Sequence, residues 1–314
     1  MPLRLLRQRA ALLANIRSFM AERDILEVDV PVMGVSTVTD PHLEAFVTTL
    51  GDQPYYLQTS PEYFMKRLLV DGSGDIFYLG KALRCEQGGR YHNPEFTMLE
   101  WYRQGMDDRD LAEELGLLLQ TLSPGLQLVT RTYAQLFTHF LALDPHTADD
   151  QALRALARQK TGFDGQGEPR STWLDLLFSH CIEPHLQEAT LVFDYPVCQS
   201  ALARCTTNEH ATPVARRFEL FWRGIELANG YWELNDAAEQ RRRFEQDLAL
   251  RRQLDKWQPT PDSAFLKALE RGLPDCAGVA LGVDRLLMCL LGETEIAAVL
   301  PFSAAQQQRD LRTF

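Results

Sequence analysis

The sequence predicts an α+β fold in which an antiparallel sheet is flanked by helices and interrupted by a helical insertion. Two observations predict it. The hydrophobic pattern opens at helical period, changes to alternation, turns helical through the middle and then returns to strands. Within the first strand-like region, Asp75 to Leu83 and Glu95 to Arg103 are apolar runs joined by a polar, glycine-bearing loop, Arg84 to Pro94, as in an antiparallel hairpin. The chain has 314 residues, 45% of them hydrophobic, enough to bury a sizeable core.

Taken in order, Leu5, Leu12, Ile16 and Phe19 form one apolar stripe on an opening helix. Val28, Val30 and Val32 alternate as a short strand, which Pro31 restricts to an edge or an interface. From Asp107 to about His185 the pattern is mainly helical, with breaks at Ser123-Pro124-Gly125 and from Gly162 to Pro169. This is the expected insertion, spanning about 104–190 of a single domain over 1–314. Strand signals resume at Leu191 to Tyr195 and at Arg217 to Leu227. Arg241 to Lys256 reads as a basic, exposed helix, and Cys276 to Leu291 as a small, apolar strand running into a helix near Val283.

Composition narrows the function. The net charge is -11, from 43 acidic and 32 basic residues, so the surface as a whole repels nucleic-acid phosphates. Six cysteines without a CxxC pair suggest reduced thiols rather than a disulfide framework or a zinc site. No segment has the length of an apolar membrane span, so a soluble cytoplasmic protein is expected.

Three patterns carry chemistry. On the strand Glu95 to Arg103, period-2 geometry puts Phe96, Met98, Glu100 and Tyr102 on one face. Either Glu100 lies in a pocket for an ammonium group, or the strand is half-exposed and Glu100 solvated. A hairpin turning at Arg223-Gly224 pairs Phe221 with Glu226 and leaves Glu219 diagonal to Glu226. Those carboxylates either hold Mg²⁺ or lie on a wet sheet face. Arg285, in a first helical turn with Gly278 and Gly282 just ahead, is either a phosphate ligand or a surface cation paired with Asp284.

Gly80 to Glu86 (GKALRCE), Arg90 to Tyr102 (RYHNPEFTMLEWY) and the Cys276 to Leu291 segment occur in the order of class II aminoacyl-tRNA synthetase motifs. With PEYFMKRLL at Pro61 to Leu69 and IELANGYWELNDA at Ile225 to Ala237, the chain resembles the lysyl-tRNA synthetase family nearly throughout. The resemblance implies a class II antiparallel core that uses ATP and Mg²⁺ to activate a lysine-like amino acid. It implies that Arg84 bridges the substrate carboxylate and the α-phosphate, while Glu86, His92 and Asn93 belong to the nucleotide-holding loop. Phe96 would stack on adenine, Arg285 would face the nucleotide from the other side beside Gly282, and Glu219 and Glu226 would hold Mg²⁺. Ser60, Glu62, Glu100, Tyr102, Asn229, Tyr231, Glu233 and Ala280 would line the amino-acid pocket.

The opening helix begins where lysyl enzymes carry an anticodon-reading barrel, so tRNA is disfavoured as the acceptor. Chains that resemble this one without that barrel are the elongation factor P (R)-β-lysine ligases. The implied acceptor is therefore a lysine of elongation factor P, and the implied substrate (R)-β-lysine or lysine. Ala280 and Ser60 stand where the lysyl enzymes have glycine and alanine, while Leu83 and Cys85 replace phenylalanine and asparagine around Arg84. Ile25 to Pro31 resembles the class II dimer element, so a homodimer is expected. Arg216, Arg217, Arg241, Arg242 and Arg243 read as either a docking patch for an acidic partner or a solvated face. The alternative functions are a truncated synthetase-like enzyme acylating a small molecule or minimal RNA, and an inactive regulatory paralogue.

Overall fold

Leu5, Leu12, Ile16 and Phe19 are buried along one side of the opening helix, α1 (Leu3–Ala21), as their spacing requires. The structure, a computed structural model, describes residues 3–165 and 167–311. The chain divides into two units, one of Met1–Gly105, Leu234–Cys276 and Ala280–Phe314, the other of Met106–Glu233 with Ala277–Val279.

In the first unit the expected strand at Val28 to Val32 does not form. Only β1 (Leu26–Glu27) pairs, parallel to β5 (Ile76–Leu83), and the Val28 amide adds a last bond to Phe77 O. Pro31 has no amide hydrogen to extend that ladder, and Val32 is exposed. A small separate sheet follows, from β2 (Met33–Gly34), β3 (Val47–Leu50) and β4 (Gln53–Leu57), in the order β2-β4-β3. Helix α2 (Glu62–Val70) then leads to β5, which pairs antiparallel with β6 (Glu95–Gln104) in register from Ile76 opposite Tyr102 to Leu83 opposite Glu95. The hairpin expected around the loop 84–94 is therefore present. Both faces of β6 are buried from Thr97 to Tyr102, which excludes a solvated Glu100.

The second unit begins with α3 (Asp108–Leu122), whose N-cap Asp107 accepts from the amides of Arg109 and Asp110 while the Asp110 side chain bonds back. Strand β7 (Leu128–Thr132) corrects the helical reading of this region. It is five residues long, too short to show a period, and Thr132 also caps α4 (Tyr133–Leu141). Helices α5 (Asp150–Thr161) and α6 (Arg170–Cys181) complete the insertion, with Gly162 ending α5 in the left-handed region. The core beneath them is aromatic: Tyr133 stacks on Phe178 at 5.1 Å between ring centroids, and Phe178 meets Phe221 at 5.2 Å.

Strand β8 (Ala189–Tyr195) is buried at all seven positions, which explains its mostly apolar sequence, and the one carboxylate it takes in, Asp194, accepts from Arg109 at 2.7 Å. It lies between parallel β7 and antiparallel β10 (Pro213–Trp222), which also pairs β9 (Cys205–Thr207) and β11 (Ile225–Trp232). The β10–β11 turn is the expected two-residue Arg223-Gly224, with φ of 58° and 69°. Such a turn needs two left-handed residues, so one glycine lowers its cost. Gly230 answers a different demand: a Cβ there would meet the Phe218 ring at 2.5 Å.

The chain returns to the first unit through α7 (Ala237–Gln253) and α8 (Ser263–Gly272). Helix α7 is not simply an exposed basic face. Arg251 is 1% exposed and donates to the carbonyls of Thr39, Asp40, Leu43 and Trp257. These carbonyls sit on loops and need donors that no strand supplies. Strand β12 (Cys276–Gly282) leads into α9 (Val283–Leu291), which starts where expected, and α10 (Ala304–Leu311) follows. No helix among the described residues is long and apolar enough to cross a membrane.

Candidate active site

In the first unit, β6 and the start of α2 bring Ser60, Glu62, Glu100 and Tyr102 together. Glu100, 2% exposed, accepts from the Tyr102 hydroxyl at 2.7 Å and from Ser60 Oγ at 2.8 Å. Burial pushes its pKa up to about 7, and the neighbouring Glu62 charge adds to the rise, while the hydrogen bonds and Lys66 oppose it. Glu62 pairs with Lys66 Nζ at 2.5 Å. Glu100 is thus bonded by neutral hydroxyls that orient it without cancelling its charge. Such a carboxylate is suited to receive an external cation. Ala280 is half-buried on β12.

The loop 84–94 carries the next group. The Arg84 amide bonds Pro94 O at 2.9 Å and the Cys85 amide bonds Glu44 O at 2.8 Å, which fixes the loop's root. The Arg84 guanidinium lies 5.2 Å from the Phe96 ring centroid, in cation–π range. Its Nε is buried with no hydrogen-bond partner among the described residues. A desolvated guanidinium N–H that lacks an acceptor favours an incoming oxyanion. Glu86 is half-buried beside it.

Arg285 does not pair with Asp284. Asp284 holds Arg9 at 2.5 Å and accepts from the Thr97 amide at 2.7 Å, so it ties the start of α9 to α1 and β6. Arg285 instead donates to Tyr91 O at 3.2 Å and meets His92 Nε2 at 2.7 Å. A guanidinium has no acceptor, so Nε2 must accept and the His92 proton sits on Nδ1. Asn93 bonds Glu95 O and the Ala304 amide, which makes it a loop tether. Gly282 caps α9 without a side chain, leaving that helix start open to an anion.

The second unit gathers another cluster. The register places Glu226 opposite Phe221 as expected, but a bulge sets Asn229 rather than Ala228 across from Glu219. Glu219 is bonded by Arg217 and, at 2.6 Å, by the Tyr195 hydroxyl. Burial raises its pKa; Arg217 opposes the rise and the Glu226 charge adds to it. Arg217 also donates to Asn229 Oδ1 at 3.2 Å and lies 5.9 Å from the Tyr231 ring centroid. Glu233 is 1% exposed, and its carbonyl accepts from Arg204.

A divalent cation fits this second cluster. Mg²⁺ is usually held by one or two carboxylates, with phosphate oxygens and water filling its shell. Each Glu219 oxygen uses one lone pair on Arg217 or Tyr195 and keeps another, and Glu226 is half-buried nearby in charge terms.

Four neighbours of these site residues had no site role in the sequence reading. Lys66 was visible as an i,i+4 partner of Glu62, and Arg217 as the residue two before Glu219 on one strand face. Tyr195 and Arg9 are 24 and 275 residues from their partners, and no local pattern announces them. The arginines that read as either a docking patch or a solvated face have acidic partners: Arg216 pairs with Asp107 and Asp108, Arg217 with Glu219, Arg241 with Glu270, and Arg242 and Arg243 with Glu239.

Known proteins match this chain along its length. The family model for tRNA synthetases class II (D, K and N) covers residues 3–306. The elongation factor P (R)-beta-lysine ligase of Edwardsiella ictaluri (strain 93-146) is 45% identical over 312 residues, covering 96% of this chain and 95% of the relative. The protein of that name from Proteus mirabilis (strain HI4320) is 44% identical over 305 residues, covering 94% and 93%.

Proposed function

Since the chain belongs to the class II tRNA synthetases (D, K and N) and is a ligase of that family, we propose that it activates a lysine-type amino acid, (R)-β-lysine, and transfers it to elongation factor P. The adenylate forms with ATP, and the acceptor is the ε-amine of a lysine. The relatives bear that name, and one observation supports the chemistry here. Among the described residues, Arg84 holds a buried donor with no acceptor, in the unit that also carries Glu100, a carboxylate bonded by hydroxyls and by no cation. The first suits the oxyanions of an ATP and a carboxylate, the second an ammonium group.

The amino acid's carboxylate attacks the α-phosphorus as pyrophosphate leaves, so negative charges must converge. Arg84 and Arg285 neutralise the oxygens, and Phe96 offers its ring to the base. Glu219 and Glu226 would hold Mg²⁺, which supplies further positive charge to the phosphates when bound. Glu86 and His92 belong to the nucleotide side. Glu62, Glu100, Tyr102 and Ser60 take an amino group, and Asn229, Tyr231, Glu233 and Ala280 are the further positions that the family resemblance assigns to the amino acid. In the second step the neutral ε-amine attacks the adenylate carbonyl; AMP leaves, an amide forms and one proton is released. The enzyme acts in the cytoplasm as a homodimer, and Leu26, Val32, Met33 and Val35 are exposed apolar side chains around the segment that resembles the dimer element.

Pyrophosphate exchange with α-lysine and both β-lysine enantiomers tests the first step, and (R)-β-lysine should be preferred. No exchange with any amino acid would leave only a regulatory role. Intact mass of elongation factor P and of tRNA after incubation identifies the acceptor: a mass gain on the factor alone is expected. Light scattering should report a dimer.

A further inference from the structure

The cluster around Glu100 holds a charge that its proposed role does not ask for. Lys66, one turn along α2 from Glu62, is 1% exposed. Its Nζ touches Glu62 Oε1 at 2.5 Å and lies 5.9 Å from the Phe265 ring centroid on α8. A desolvated ammonium group is costly, and side chains this deep are ordinarily apolar. Glu62 is linked onward to Glu100 through Ser60, whose Oγ accepts from the Glu62 amide at 3.1 Å and donates to Glu100 at 2.8 Å. With Glu62, Glu100 and Lys66 all ionised, this cluster carries one negative charge in excess.

We propose that Lys66 is a positioning residue for the amino-acid substrate: by pairing with Glu62 it leaves Glu100 as the carboxylate of this cluster with no cation bonded to it among the described residues, so the cluster takes a single ammonium group. The other amino group of a diamino acid is then held elsewhere. This rests on the adenylate-forming reading above. The titratable groups that act with Glu100 are Glu62 and Lys66 from α2, Tyr102 on its own strand, and Tyr78 opposite it on β5. Glu62 raises the Glu100 pKa and Lys66 lowers it.

The test is the pH dependence of diamino-acid Kd by calorimetry from about pH 5.5 to 9, with pyrophosphate exchange measured beside it. Binding to the wild type should weaken below about pH 7, the Glu100 value. Lys66→Met should move that inflection upward by about one pH unit, which weakens binding about fivefold at pH 7 and approaches tenfold below pH 6. Lys66→Arg should restore it, with the KM for ATP unchanged in both. Glu62→Gln should move the inflection downward, and it decides the matter if Lys66→Met does not fold. An unmoved inflection in these variants overturns the proposal, because lost packing alone would weaken binding equally at every pH. Retained, pH-dependent binding without exchange would sink the adenylate reading and leave Lys66's role standing. No diamino-acid binding at all would overturn both.

Discussion

Glu100 and Glu219 are both carboxylates taken out of water, and burial raises the pKa of each to about 7, yet their partners differ in kind. Glu100 is bonded by two neutral hydroxyls, and the nearest cation in its cluster is engaged by Glu62. Glu219 is bonded by a guanidinium that lies beside it on the same strand. The first arrangement keeps a charge available; the second spends most of it inside the fold. A buried acid with hydroxyl donors therefore reads as a receptor for a cation, while one with its own arginine reads as a framework that lends spare lone pairs to a metal.

That contrast can be broken by substitution. Glu226→Gln bears on the metal role of the second cluster without disturbing the Arg217 pair. It should lower pyrophosphate exchange by about a thousandfold while leaving the thermal midpoint within a degree or two. Full activity would refute the metal assignment. Glu219→Ala should act on the fold itself, since it strands Arg217 in the interior, removes the acceptor of the Tyr195 hydroxyl and leaves a buried void. Its expected cost is about 3 kcal/mol in a urea titration, the usual penalty for removing one partner of a buried pair.

Glu100→Gln should do the opposite. Its folded pKa of about 7 lies above the ordinary 4.5, so ionisation of Glu100 opposes folding. That loss is absent below about pH 4.5, grows as pH rises and is complete above about 7. At pH 8 the glutamine variant should be more stable than the wild type by about 3 kcal/mol, and at pH 4.5 nearly equal to it. Amino-acid binding should be lost at both. A destabilised variant at pH 8 would mean that Glu100, like Glu219, already has a counter-charge of its own. The smallest effect belongs to Ala280→Gly, which removes one methyl group from the proposed pocket. Discrimination between (R)-β-lysine and α-lysine should fall by about tenfold. An unchanged ratio in exchange assays would remove Ala280 from the specificity argument.

Legibility in the sequence followed the range of the interaction. The β5–β6 and β10–β11 hairpins were readable because alternation and turn residues act within a few positions. The bulge opposite Leu220 was not, since nothing local marks an extra residue on one strand. Strand β7 escaped because its partner β8 is some sixty residues away. Arg251 was misjudged for a similar reason: helix periodicity says which face it occupies, but not that loop carbonyls 208 to 212 positions distant would bury it.

By itself, then, the sequence determined the fold class, the two hairpins, the start of α9 and the residue types that chemistry on a triphosphate and an amino acid demands. Spacing and side-chain chemistry are properties of the chain, so they survive without coordinates. Only the tertiary structure decided which charges remain available: Asp284 goes to Arg9 rather than Arg285, Arg217 takes Glu219, and Glu100 is bonded by the Ser60 and Tyr102 hydroxyls. Pairing among ionic groups depends on distances of a few ångströms between segments far apart in the chain, and burial then fixes what each pairing is worth.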